Sequence, residues 1–490
     1  MTRDYSQFYL NGVRREVRGR EALMMVADWL RKEAGLPGTK IVCAEGDCGA
    51  CTVLRAFPRD TGAGQGPDGL RFESMNSCIA TVAQMDGSHL VTVEGIQDGA
   101  ELSPVQKAMM ACHGSQCGYC TPGFVMALSA MFERHDTADA KTACNYLTGN
   151  LCRCTGYQPI IDAAVSARAS ERHSVSRRYL DPDATAELVA SRKTSVRITH
   201  DETVYFAPAT LREAVTFAAQ NTKCRILAAA TDIGVQTNKG KPLPQTILSL
   251  HMIPELYAVK KSRGGITVGA RVTLADLRRA TEDVAPEFSR FLNLFASPQI
   301  KNVATLAGNI ANASPIGDTL PFLLIAGGAV HVASRPGGKG PVRKRSIPMT
   351  ELYRGYKQLS LEPGEIITHV SFDRTPAREF LRIYKVSQRK DLDISAVSGA
   401  FAITTSGSGS GRQITGARVA FGGVAATPVR MPDIEKALVG ARLTADVIEQ
   451  VAQLISRSLN PLSDVRGTAA YRKVLAANLF RRYGAEVLGG

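Results

Sequence analysis

The chain has 490 residues, 44% of them hydrophobic and 21% charged, which is the composition of a globular protein with about three or four domains. The apolar run near residues 322–333 is too short to cross a bilayer and the N-terminus lacks an apolar segment, so a cytoplasmic protein is expected. The net charge of +14 comes from scattered basic residues without a nucleic-acid motif, which favours a solvated surface, or one facing an acidic partner subunit, over nucleic-acid binding.

The first predicted elements are a hairpin and a helix. Residues 7–17 contain two short β-like runs around Asn11 and Gly12, which is the strongest short hairpin signal. Residues 21–34 repeat apolar side chains at helical spacing, so a helix is predicted there. The order strand, strand, helix, cysteine loop is compatible with a ferredoxin-like domain.

The cysteine loop that follows has the sequence CAEGDCGAC. It places Cys43, Cys48 and Cys51 at the spacing C-x4-C-x2-C, and Cys78 lies within reach of the same domain. This spacing is typical of a plant-type [2Fe–2S] cluster. A zinc site is the alternative, although zinc sites usually use two C-x2-C pairs. Ten of the eleven cysteines precede residue 155, which in a reducing compartment indicates metal or redox chemistry.

The pattern then changes from strands to helices. The segment 55–72 is rich in glycine and is predicted to be a solvated hairpin tip without chemistry. From about residue 101 the pattern is helical, with Ser103 as the predicted N-cap and Pro104 at the first helical position. Apolar residues repeat at helical spacing again between Phe124 and Met131.

A second cysteine set lies within this helical region. Its members are Cys117 and Cys120, a C-x2-C pair, and Cys152 and Cys154, a C-x-C pair. A C-x2-C pair alone is also compatible with zinc or thiol exchange, whereas C-x-C is less usual on a tetrahedral zinc. Two irons bridged by sulfide accept both pairs, so loops at the ends of a helical bundle are predicted to bring four thiolates together. The remaining Cys112 and Cys144 are predicted to be buried structural thiols.

Three stretches carry a resemblance to a known family: GTKIVCAEGDCGACTV, HGSQCGYCTPG and GNLCRCTGYQPI. Over residues 38 to about 165 they resemble the iron–sulfur region of the xanthine dehydrogenase, or molybdenum hydroxylase, family. The resemblance implies a β-grasp ferredoxin domain followed by a four-helix bundle. It implies that the first set, Cys43, Cys48, Cys51 and Cys78, binds one [2Fe–2S] cluster. It also implies that the second set, Cys117, Cys120, Cys152 and Cys154, binds another cluster nearer the molybdenum centre.

Residues 166–200 are polar and charged, and they are predicted to be a surface linker. A new domain is predicted from about Val204, with a helix that begins at Pro208 and Thr210. A strand then leads into LAAATDIG, residues 227–234, where a turn is predicted at Thr231 and Asp232. A further strand precedes a helix that begins near Thr273.

A second small-residue loop is predicted at residues 304–314, which are dense in Ala, Gly, Asn and Ser. Such loops let backbone N–H groups approach a pyrophosphate closely. Small residues also occur where strands pack tightly, and composition does not decide between the two roles. No G-x-G-x-x-G follows a strand, so a Rossmann dinucleotide site is unsupported.

Both loops resemble the FAD-binding signatures of the same family, whose flavin domain has the vanillyl-alcohol-oxidase fold. The FAD contacts that the resemblance implies are Leu227, Ala228, Ala229, Ala230, Thr231, Asp232, Ile233, Phe295, Ala304, Thr305, Gly308, Asn309, Asn312, Ser314, Asp318 and Lys385. Core packing is the alternative role for Phe295, and a surface cation is the alternative for Lys385. A carboxylate beside pyrophosphate is unfavourable, so Asp318 is expected toward the flavin or ribose and Thr305 toward a phosphate.

The two loops depart from the family pattern at small residues. Ala229 and Ala230 stand where the family carries glycine beside the threonine. Ala307 stands at the first position of a G-G-N sequence. An added methyl group can push a backbone away from a phosphate, but alanine is the smallest such change, so FAD binding is expected to survive.

The remainder of the chain, from about Leu381, is predicted to be β-rich and then helical and basic over residues 444–486. The predicted fold class is therefore a multidomain α+β protein. The predicted domains are a ferredoxin-like domain at 1–90, a helical [2Fe–2S] domain at 91–165, a linker at 166–200, an FAD-binding domain at 201–378 and a C-terminal flavin-subunit domain at 379–490.

Two clusters and one flavin in a chain of this length resemble the small subunit of bacterial members of the family. The resemblance implies that electrons pass from a molybdopterin centre on a large partner subunit through the clusters to FAD and then to NAD, during hydroxylation of xanthine or hypoxanthine to urate. It also implies a dimer of heterodimers. The alternatives are an equivalent subunit for an aldehyde or N-heterocycle, a stand-alone NADH:acceptor reductase and a zinc-stapled interaction protein. Catalytic residues are not assigned, and the acceptor, NAD or oxygen, stays open.

Overall fold

The computed structural model describes residues 2–59, 70–389 and 392–489. The predicted hairpin tip at 55–72 lies partly outside the described residues, since its centre is residues 60–69. The described part of the chain is a mixed α+β fold, as predicted. None of its helices is both long enough and apolar enough to cross a membrane.

The N-terminal part is a mixed sheet. Its strands in the described residues are β1, Tyr5–Leu10; β2, Val13–Arg18; β3, Thr52–Ala56; β4, Glu73–Asn76; and β5, His89–Val91, in the order β2-β1-β5-β3-β4. The predicted hairpin is confirmed, because Leu10 pairs with Val13 across a two-residue turn. Asn11 and Gly12 in that turn have φ of 49° and 83°, as a type I′ turn requires.

The helix predicted over residues 21–34 is interrupted. It consists of α1, Gly19–Leu23, and α2, Val26–Lys32. Met25 between them is extended and forms a β-bridge with Thr81. Pairing with a distant part of the chain therefore overrides the helical periodicity.

Residues 92–166, all of which are described, contain four helices. They are α3, Pro104–Ala111; α4, Thr121–Phe132; α5, Ala140–Leu147; and α6, Gln158–Ser166. The predicted N-cap is confirmed, since Ser103 Oγ accepts a hydrogen bond from Gln106 N–H at 3.3 Å. Helix α4 carries Phe124 and Leu128 into a core shared with the other three helices. Both loops of the second cysteine set lie at the ends of these helices.

The segment predicted to be a linker contains two further helices and a strand. They are α7, Val175–Tyr179; α8, Pro182–Ser191; and β6, Val196–His200. Asp181 caps α8 by accepting a hydrogen bond from Ala184 N–H at 2.8 Å. Glu187 of α8 accepts a hydrogen bond from Gln7 of the first sheet at 2.8 Å. Apolar residues of the segment are buried as well, with Leu188 at 2% exposure and Val196 and Ile198 at 0%.

The middle of the chain contains two larger sheets and a hairpin. The first sheet has the order β6-β7-β9-β8, with β7, Thr203–Ala207; β8, Arg225–Leu227; and β9, Thr246–Ser249. The second has the order β10-β11-β16-β12-β13, with β10, Val259–Lys261; β11, Gly265–Gly269; β12, Ala329–Ser334; β13, Arg343–Pro348; and β16, Ile366–Asp373. The hairpin is β14, Tyr353–Gly355, and β15, Gln358–Leu359. Because β6 pairs with β7, the first of these sheets begins before the predicted boundary at 201.

Helices cover these sheets. They are α9, Leu211–Gln220; α10, Thr231–Asn238; α11, Leu274–Ala280; α12, Pro286–Leu294; α13, Pro298–Lys301; α14, Leu306–Ala311; α15, Leu320–Ile325; and α16, Met349–Leu352. The predicted starts of α9 and α11 are confirmed, since Thr210 and Thr273 cap them. Thr231, predicted at a turn, opens α10, and most of the loop predicted at 304–314 is the helix α14.

The C-terminal part is a sheet covered by helices, as predicted. Its strands in the described residues are β17, Glu379–Val386; β18, Val397–Ser406; β19, Gln413–Gly422; and β20, Val429–Arg430, in sequential order. Its helices are α17, Pro432–Leu438; α18, Ala445–Ser458; and α19, Ala469–Gly489. Aromatic side chains fill the core between them, with Phe401 in contact with Phe421 and Phe480.

Candidate functional site

The first cysteine loop, residues 43–51, folds around the Cys43 side chain. Cys43 Sγ accepts hydrogen bonds from the backbone N–H groups of Glu45 at 3.3 Å and Cys48 at 3.4 Å. Gly49 has a φ of 70°, a left-handed conformation that favours glycine. Backbone N–H groups directed at a sulfur stabilise its thiolate and tune a bound metal centre.

Cys78 brings a fourth thiol to this loop. Hydrogen bonds with Cys43 and Cys51 raise the pKa of Cys78, and hydrogen bonds with Cys48 and Cys78 lower the pKa of Cys43. Cys51 and Cys78 are each 2% exposed, whereas Cys43 and Cys48 are partly exposed. The structure therefore brings the four predicted thiols together at one edge of the first sheet.

The second cysteine set forms two pairs. The sulfur atoms of Cys117 and Cys154 are 3.6 Å apart, and both residues are exposed. Burial, together with a hydrogen bond with Cys152, raises the pKa of Cys120 to about 12. Each pair joins one thiol of the loop before α4 to one thiol of the loop before α6, so these loops meet as predicted.

The donor atoms of the two sets fit two-iron clusters. Four thiolates are the ligands of a [2Fe–2S] cluster, with two on each iron, whereas a structural zinc takes four ligands on one ion. Within the described residues no group of three or more His, Cys, Asp or Glu side chains could hold a single metal ion. Two sets of four thiols, each drawn from two separate loops, supply the number and type of ligands that two-iron clusters use.

The prediction that the two remaining cysteines are buried is wrong. Cys144 is exposed, and Cys112 is partly exposed with its sulfur 3.6 Å from Ser166 Oγ. The reason for Cys144 is that α5 turns Ala143 and Leu147 toward the core. Cys144 therefore lies on the opposite, outward side of a short amphipathic helix.

The two cysteine loops contact each other directly. Leu151 N–H donates a hydrogen bond to the carbonyl oxygen of Cys48 at 3.0 Å. A Cβ atom at Gly49 would lie 2.2 Å from the carbonyl oxygen of Gly149, so the close approach requires glycine. Because Cys152 follows Leu151, a single hydrogen bond and a few covalent bonds join a thiol of the first set to one of the second.

Gln299 of α13 ties both cysteine loops to the flavin-side sheets. Its side chain is fully buried, and Nε2 donates hydrogen bonds to Asn150 Oδ1 at 2.8 Å and Thr52 Oγ1 at 3.3 Å. Thr52 follows Cys51, and Asn150 precedes Cys152 by two positions. Sequence reasoning missed Gln299, and no motif marks it.

Replacing Gln299 with leucine is expected to loosen this three-way contact. Leucine keeps the volume but leaves the Asn150 side chain without its buried donor, at a cost of about 1–3 kcal/mol. Thermal unfolding, followed by the visible absorbance of the iron–sulfur chromophore, measures the loss. Gln450→Leu is the control because Gln450 of α18 is exposed, and it should leave the transition unchanged.

A cavity of about 980 Å³ lies between the middle sheets and the first cysteine loop. Thirteen of the sixteen residues predicted to contact FAD line it: Leu227, Ala228, Ala229, Ala230, Thr231, Asp232, Ile233, Phe295, Ala304, Thr305, Gly308, Asn309 and Asn312. Its volume is at the upper end of the range of roughly 300–1,000 Å³ for ligand clefts, which suits a dinucleotide. Glu45, Gly46 and Asp47 of the first cysteine loop line the same cavity.

Residues 227–234, called here the first flavin loop, form hydrogen bonds with the N-terminal part that carries the first cysteine set. Gln84 Nε2 donates to the Ala229 carbonyl at 3.1 Å. Asn238, at the end of α10, donates to the carbonyl oxygens of Ala44 at 2.7 Å and Cys78 at 2.8 Å. A Cβ atom at Gly234 would lie 2.1 Å from the Ile79 carbonyl oxygen, so α10 packs directly on the chain beside Cys78.

Ala230 in this loop has a φ of 64°, in the left-handed region that alanine adopts at a cost of about 1–2 kcal/mol. Ala230→Gly removes that strain, offset by roughly 0.5–1 kcal/mol of lost chain entropy. We expect the unfolding midpoint of the flavin half to rise by a few degrees in differential scanning calorimetry. Ala228→Gly is the control, because Ala228 is not among the residues with positive φ, and it should lower the same midpoint.

Residues 304–314, called here the second flavin loop, contain Thr305, which caps the helix in this loop. Its Oγ1 accepts a hydrogen bond from Gly308 N–H at 3.0 Å and caps α14. Thr305 lines the cavity, and a threonine hydroxyl that accepts one hydrogen bond can also donate one. Thr319 Oγ1 donates to Asn309 Oδ1 at 2.7 Å, which orients the Asn309 amide.

Thr305→Val is expected to weaken FAD binding about ten- to hundredfold, since an FAD phosphate oxygen that loses its hydroxyl donor costs roughly 1–3 kcal/mol. The lost N-cap destabilises α14 by a further ~0.5–2 kcal/mol. Flavin content after dialysis measures the effect. Thr305→Ser keeps the hydroxyl, so it should retain flavin, and equal losses in both variants would contradict a role for the hydroxyl.

Three predicted FAD contacts do not line the cavity: Ser314, Asp318 and Lys385. Lys385 Nζ and Asp318 Oδ2 form an ion pair at 2.6 Å, with side chains only 4% and 3% exposed. Lys385 is thus not a surface cation. Its Nζ lies 5.9 Å from the centroid of the Phe295 ring, which does line the cavity. The pair therefore supports the cavity wall from behind Phe295.

The cavity also has a rim that sequence reasoning missed. Arg389, Asp393, Val465 and Arg466 lie along it. Arg389 is paired with Asp393 at 2.5 Å. Arg389 and Asp393 lie in the stretch QRKDLDIS, shortly after the predicted FAD contact Lys385, and this proximity is the sequence feature that could have indicated them. No sequence pattern indicates the loop at Val465.

Comparison with known proteins matches three domain families to consecutive parts of the chain. Residues 92–165 match a "[2Fe-2S] binding domain", residues 196–374 match "FAD binding domain in molybdopterin dehydrogenase", and residues 382–487 match "CO dehydrogenase flavoprotein C-terminal domain". The chain belongs to the molybdenum hydroxylase family. Its matched segments are the iron–sulfur-binding and FAD-binding parts of such an enzyme.

Xanthine dehydrogenases are similar over nearly the whole chain. The enzyme of Drosophila pseudoobscura is 30% identical over 97% of this chain, which covers 39% of the relative. Xanthine dehydrogenase 1 of Arabidopsis thaliana is 27% identical, again over 97% of this chain and 39% of the relative. The chain thus spans about two-fifths of the length of these relatives.

Solved structures are similar over more than half of the chain. Quinoline 2-oxidoreductase of Pseudomonas putida 86 is 25% identical with a TM-score of 0.52, covering 58% of this chain and 96% of that one. Carbon monoxide dehydrogenase of Hydrogenophaga pseudoflava, at 22% identity and a TM-score of 0.52, covers 57% of this chain and 94% of that one and shares the fold.

Proposed function

We propose that this chain is the electron-transfer subunit of a cytoplasmic, NAD-dependent xanthine dehydrogenase. In this proposal a large partner subunit holds the molybdopterin cofactor and hydroxylates xanthine or hypoxanthine to urate, and two copies of each subunit assemble. The chain passes electrons from the molybdenum centre through two [2Fe–2S] clusters to FAD and then to NAD. The observation that carries the proposal is that the three candidate cofactor sites are contiguous.

This contiguity rests on two contacts. The hydrogen bond from Leu151 N–H to the Cys48 carbonyl, at 3.0 Å, joins the second cysteine loop to the first. Glu45, Gly46 and Asp47 of the first loop line the flavin cavity. These two contacts support the proposed order of second cluster, first cluster and flavin. Cys117 and Cys154 are exposed, which supports the proposal that a partner docks beside the second set.

The chain's own residues hold and separate the cofactors. When bound, clusters exchange one electron and flavin one or two, which is the chemistry these groups supply. Cys43, Cys48, Cys51 and Cys78 would hold one cluster, and Cys117, Cys120, Cys152 and Cys154 the other. The loops at 227–233 and 304–312 would hold FAD. Gly49 and Gln299 keep the two cysteine loops in contact.

The domain names belong to this proposal. We assign the β-grasp fold to residues 1–90, a four-helix bundle to 91–165 and the vanillyl-alcohol-oxidase fold to 201–378, with 166–200 as the connecting segment and 379–490 as the C-terminal domain. The strand order β2-β1-β5-β3-β4, with β5 parallel to β1, supports the first assignment.

A related hydroxylase for an N-heterocycle or an aldehyde is the second candidate. The similarity to quinoline 2-oxidoreductase, at 25% identity, favours it. The two functions share all the sites described above, because the substrate would bind on the partner. Purification of the native complex with a substrate screen separates them, since turnover of xanthine and hypoxanthine supports the first and turnover of only other heterocycles or aldehydes supports the second.

The activity test uses the isolated chain and the complex in parallel. The isolated chain should oxidise NADH with an artificial dye but should not hydroxylate xanthine, and the complex should do both. Xanthine turnover by the isolated chain would refute the division of labour. Native protein that elutes in gel filtration without a larger companion would support a stand-alone reductase instead.

A further inference from the structure

A second, much smaller cavity lies between the first sheet and the first flavin loop. Its volume is about 20 Å³, and one water-sized particle needs roughly 10–15 Å³. Its polar lining comprises Arg55 of β3, Asn76, Gln84, His251 and Arg271, beside the backbone of Ala229. The flavin cavity shares only Ala229 and Thr231 with it.

Two guanidinium groups of this cavity have no anionic partner. In the described parts of the chain, neither Arg55 nor Arg271 forms an ion pair with a carboxylate. Arg55 donates to the Gln84 carbonyl at 3.2 Å, and Arg271 donates to the Tyr257 hydroxyl at 3.2 Å and to the Ala228 carbonyl. All of these acceptors are uncharged. Arg271 is 4% exposed and Arg55 is partly buried. Cations removed from water without a counter-ion are strongly unfavourable.

Buried donors of this cavity also lack partners. Among the described residues, Arg55 Nε and His251 Nε2 form no hydrogen bond. His251 is 1% exposed, and its Nδ1 is 2.9 Å from Ser249 Oγ. When the Ser249 hydroxyl donates to Nδ1, Nε2 carries the ring proton and becomes a donor.

The local potential is positive. Burial and the neighbouring Arg271 and Arg55 lower the pKa of His251 far below its usual value, so its imidazole is neutral. Burial and the same Arg271 lower the pKa of Arg55 to about 9. For Tyr257, burial would raise the pKa, but nearby guanidiniums, with Arg271 first, lower it overall.

We propose that this cavity binds a single monoatomic anion, of the halide class, between Arg55, Arg271 and His251. A halide is small enough for the cavity, accepts hydrogen bonds from every side and compensates the two guanidiniums. A water molecule would satisfy the donors but leave the charges uncompensated. A carboxylate or phosphate group exceeds the volume.

The proposed anion would lie between the first cysteine loop and the flavin loop. Asn76, on its wall, donates to the Gly46 carbonyl of the cysteine loop at 2.7 Å. Arg271, on the opposite wall, holds the Ala228 carbonyl of the flavin loop. The anion would therefore stabilise the contact that brings the two loops together. Anion binding requires only this packing and is independent of the substrate or acceptor proposed above.

The test is a halide titration of the full chain. Because a ligand that binds only the native state raises its stability in a saturable manner, the unfolding midpoint should rise and level off in sodium chloride relative to sodium gluconate at constant ionic strength. Arg55→Met should abolish the difference between the two salts. Arg263→Met, at an exposed position, should retain it.

Crystals grown in sodium bromide provide the direct measurement. An anomalous peak beside Arg55, Arg271 and His251 is expected. Equal midpoints in chloride and gluconate together with no bromide peak would overturn the proposal and leave only water in the cavity. A chloride effect present in flavin-free protein and absent from flavin-loaded protein would overturn it too, because an FAD phosphate would then meet the arginines. Both wild-type measurements decide the question even where Arg55→Met fails to fold.

Discussion

Cys152→Ser is expected to abolish one of two [2Fe–2S] signals in the EPR spectrum of the partly reduced protein and to leave the other. The Cys152 thiol hydrogen-bonds with Cys120, on the far loop of the second set. A serine hydroxyl stays protonated at neutral pH and is a harder, weaker ligand for cluster iron than a thiolate. Iron content should fall from about four to about two atoms per chain.

The first cysteine set should be unaffected because it is held by a different part of the fold. Cys51 and Cys78 are buried in the first sheet domain and bridge to Cys43 without the second set. Cys144→Ser is the matched control, since it makes the same change at an exposed cysteine in the same helical region. Two full signals in Cys152→Ser, or the loss of both in a folded protein, would contradict two separate clusters.

The sequence predicts best where the signal is local. The Asn11–Gly12 hairpin, the caps at Ser103, Thr210 and Thr273, and the meeting of the cysteine loops all follow from residues close in the chain or from a specific motif. Thirteen of the predicted FAD contacts line one cavity, because most of them lie in two short motifs.

The sequence fails where distant parts of the chain decide the outcome. The break at Met25 depends on a bridge to Thr81, which no periodicity shows. Gln299 contacts groups 149 and 247 positions away, so a single sequence carries no sign of its role. The arginines beside the small cavity look like surface charges until the fold buries them.

The pairing of Asp318 with Lys385 is another feature that depends on distant parts of the chain. The family resemblance implies that each residue contacts the flavin, and because a carboxylate beside pyrophosphate is unfavourable, Asp318 is predicted toward the flavin or ribose. Neither side chain lines the cavity, because each is buried against the other. Lys385 Nζ lies 5.9 Å from the Phe295 ring centroid, so the pair is expected to support the wall of the candidate flavin site.

Asp318→Asn is accordingly expected to destabilise the flavin half of the protein by about 3–5 kcal/mol, because it leaves the Lys385 ammonium buried without its counter-ion. Lys385 and Asp318 are 4% and 3% exposed, so solvent does not replace the lost carboxylate. Since Lys385 Nζ lies 5.9 Å from the Phe295 ring centroid, a displaced lysine should also move the cavity wall and lower the flavin content. Calorimetry and flavin absorbance after dialysis measure the two effects.

Asp283→Asn is the control for this change. Asp283 pairs with Lys261 at 2.5 Å, but its side chain is 57% exposed. Exposed ion pairs contribute about 0–1 kcal/mol, so this variant should unfold close to the wild type and retain its flavin. The double variant Asp318→Asn with Lys385→Met removes both charges and should recover much of the stability, because no buried charge is then left unpaired. If Asp318→Asn unfolds like Asp283→Asn, the buried pair is not what supports the flavin cavity.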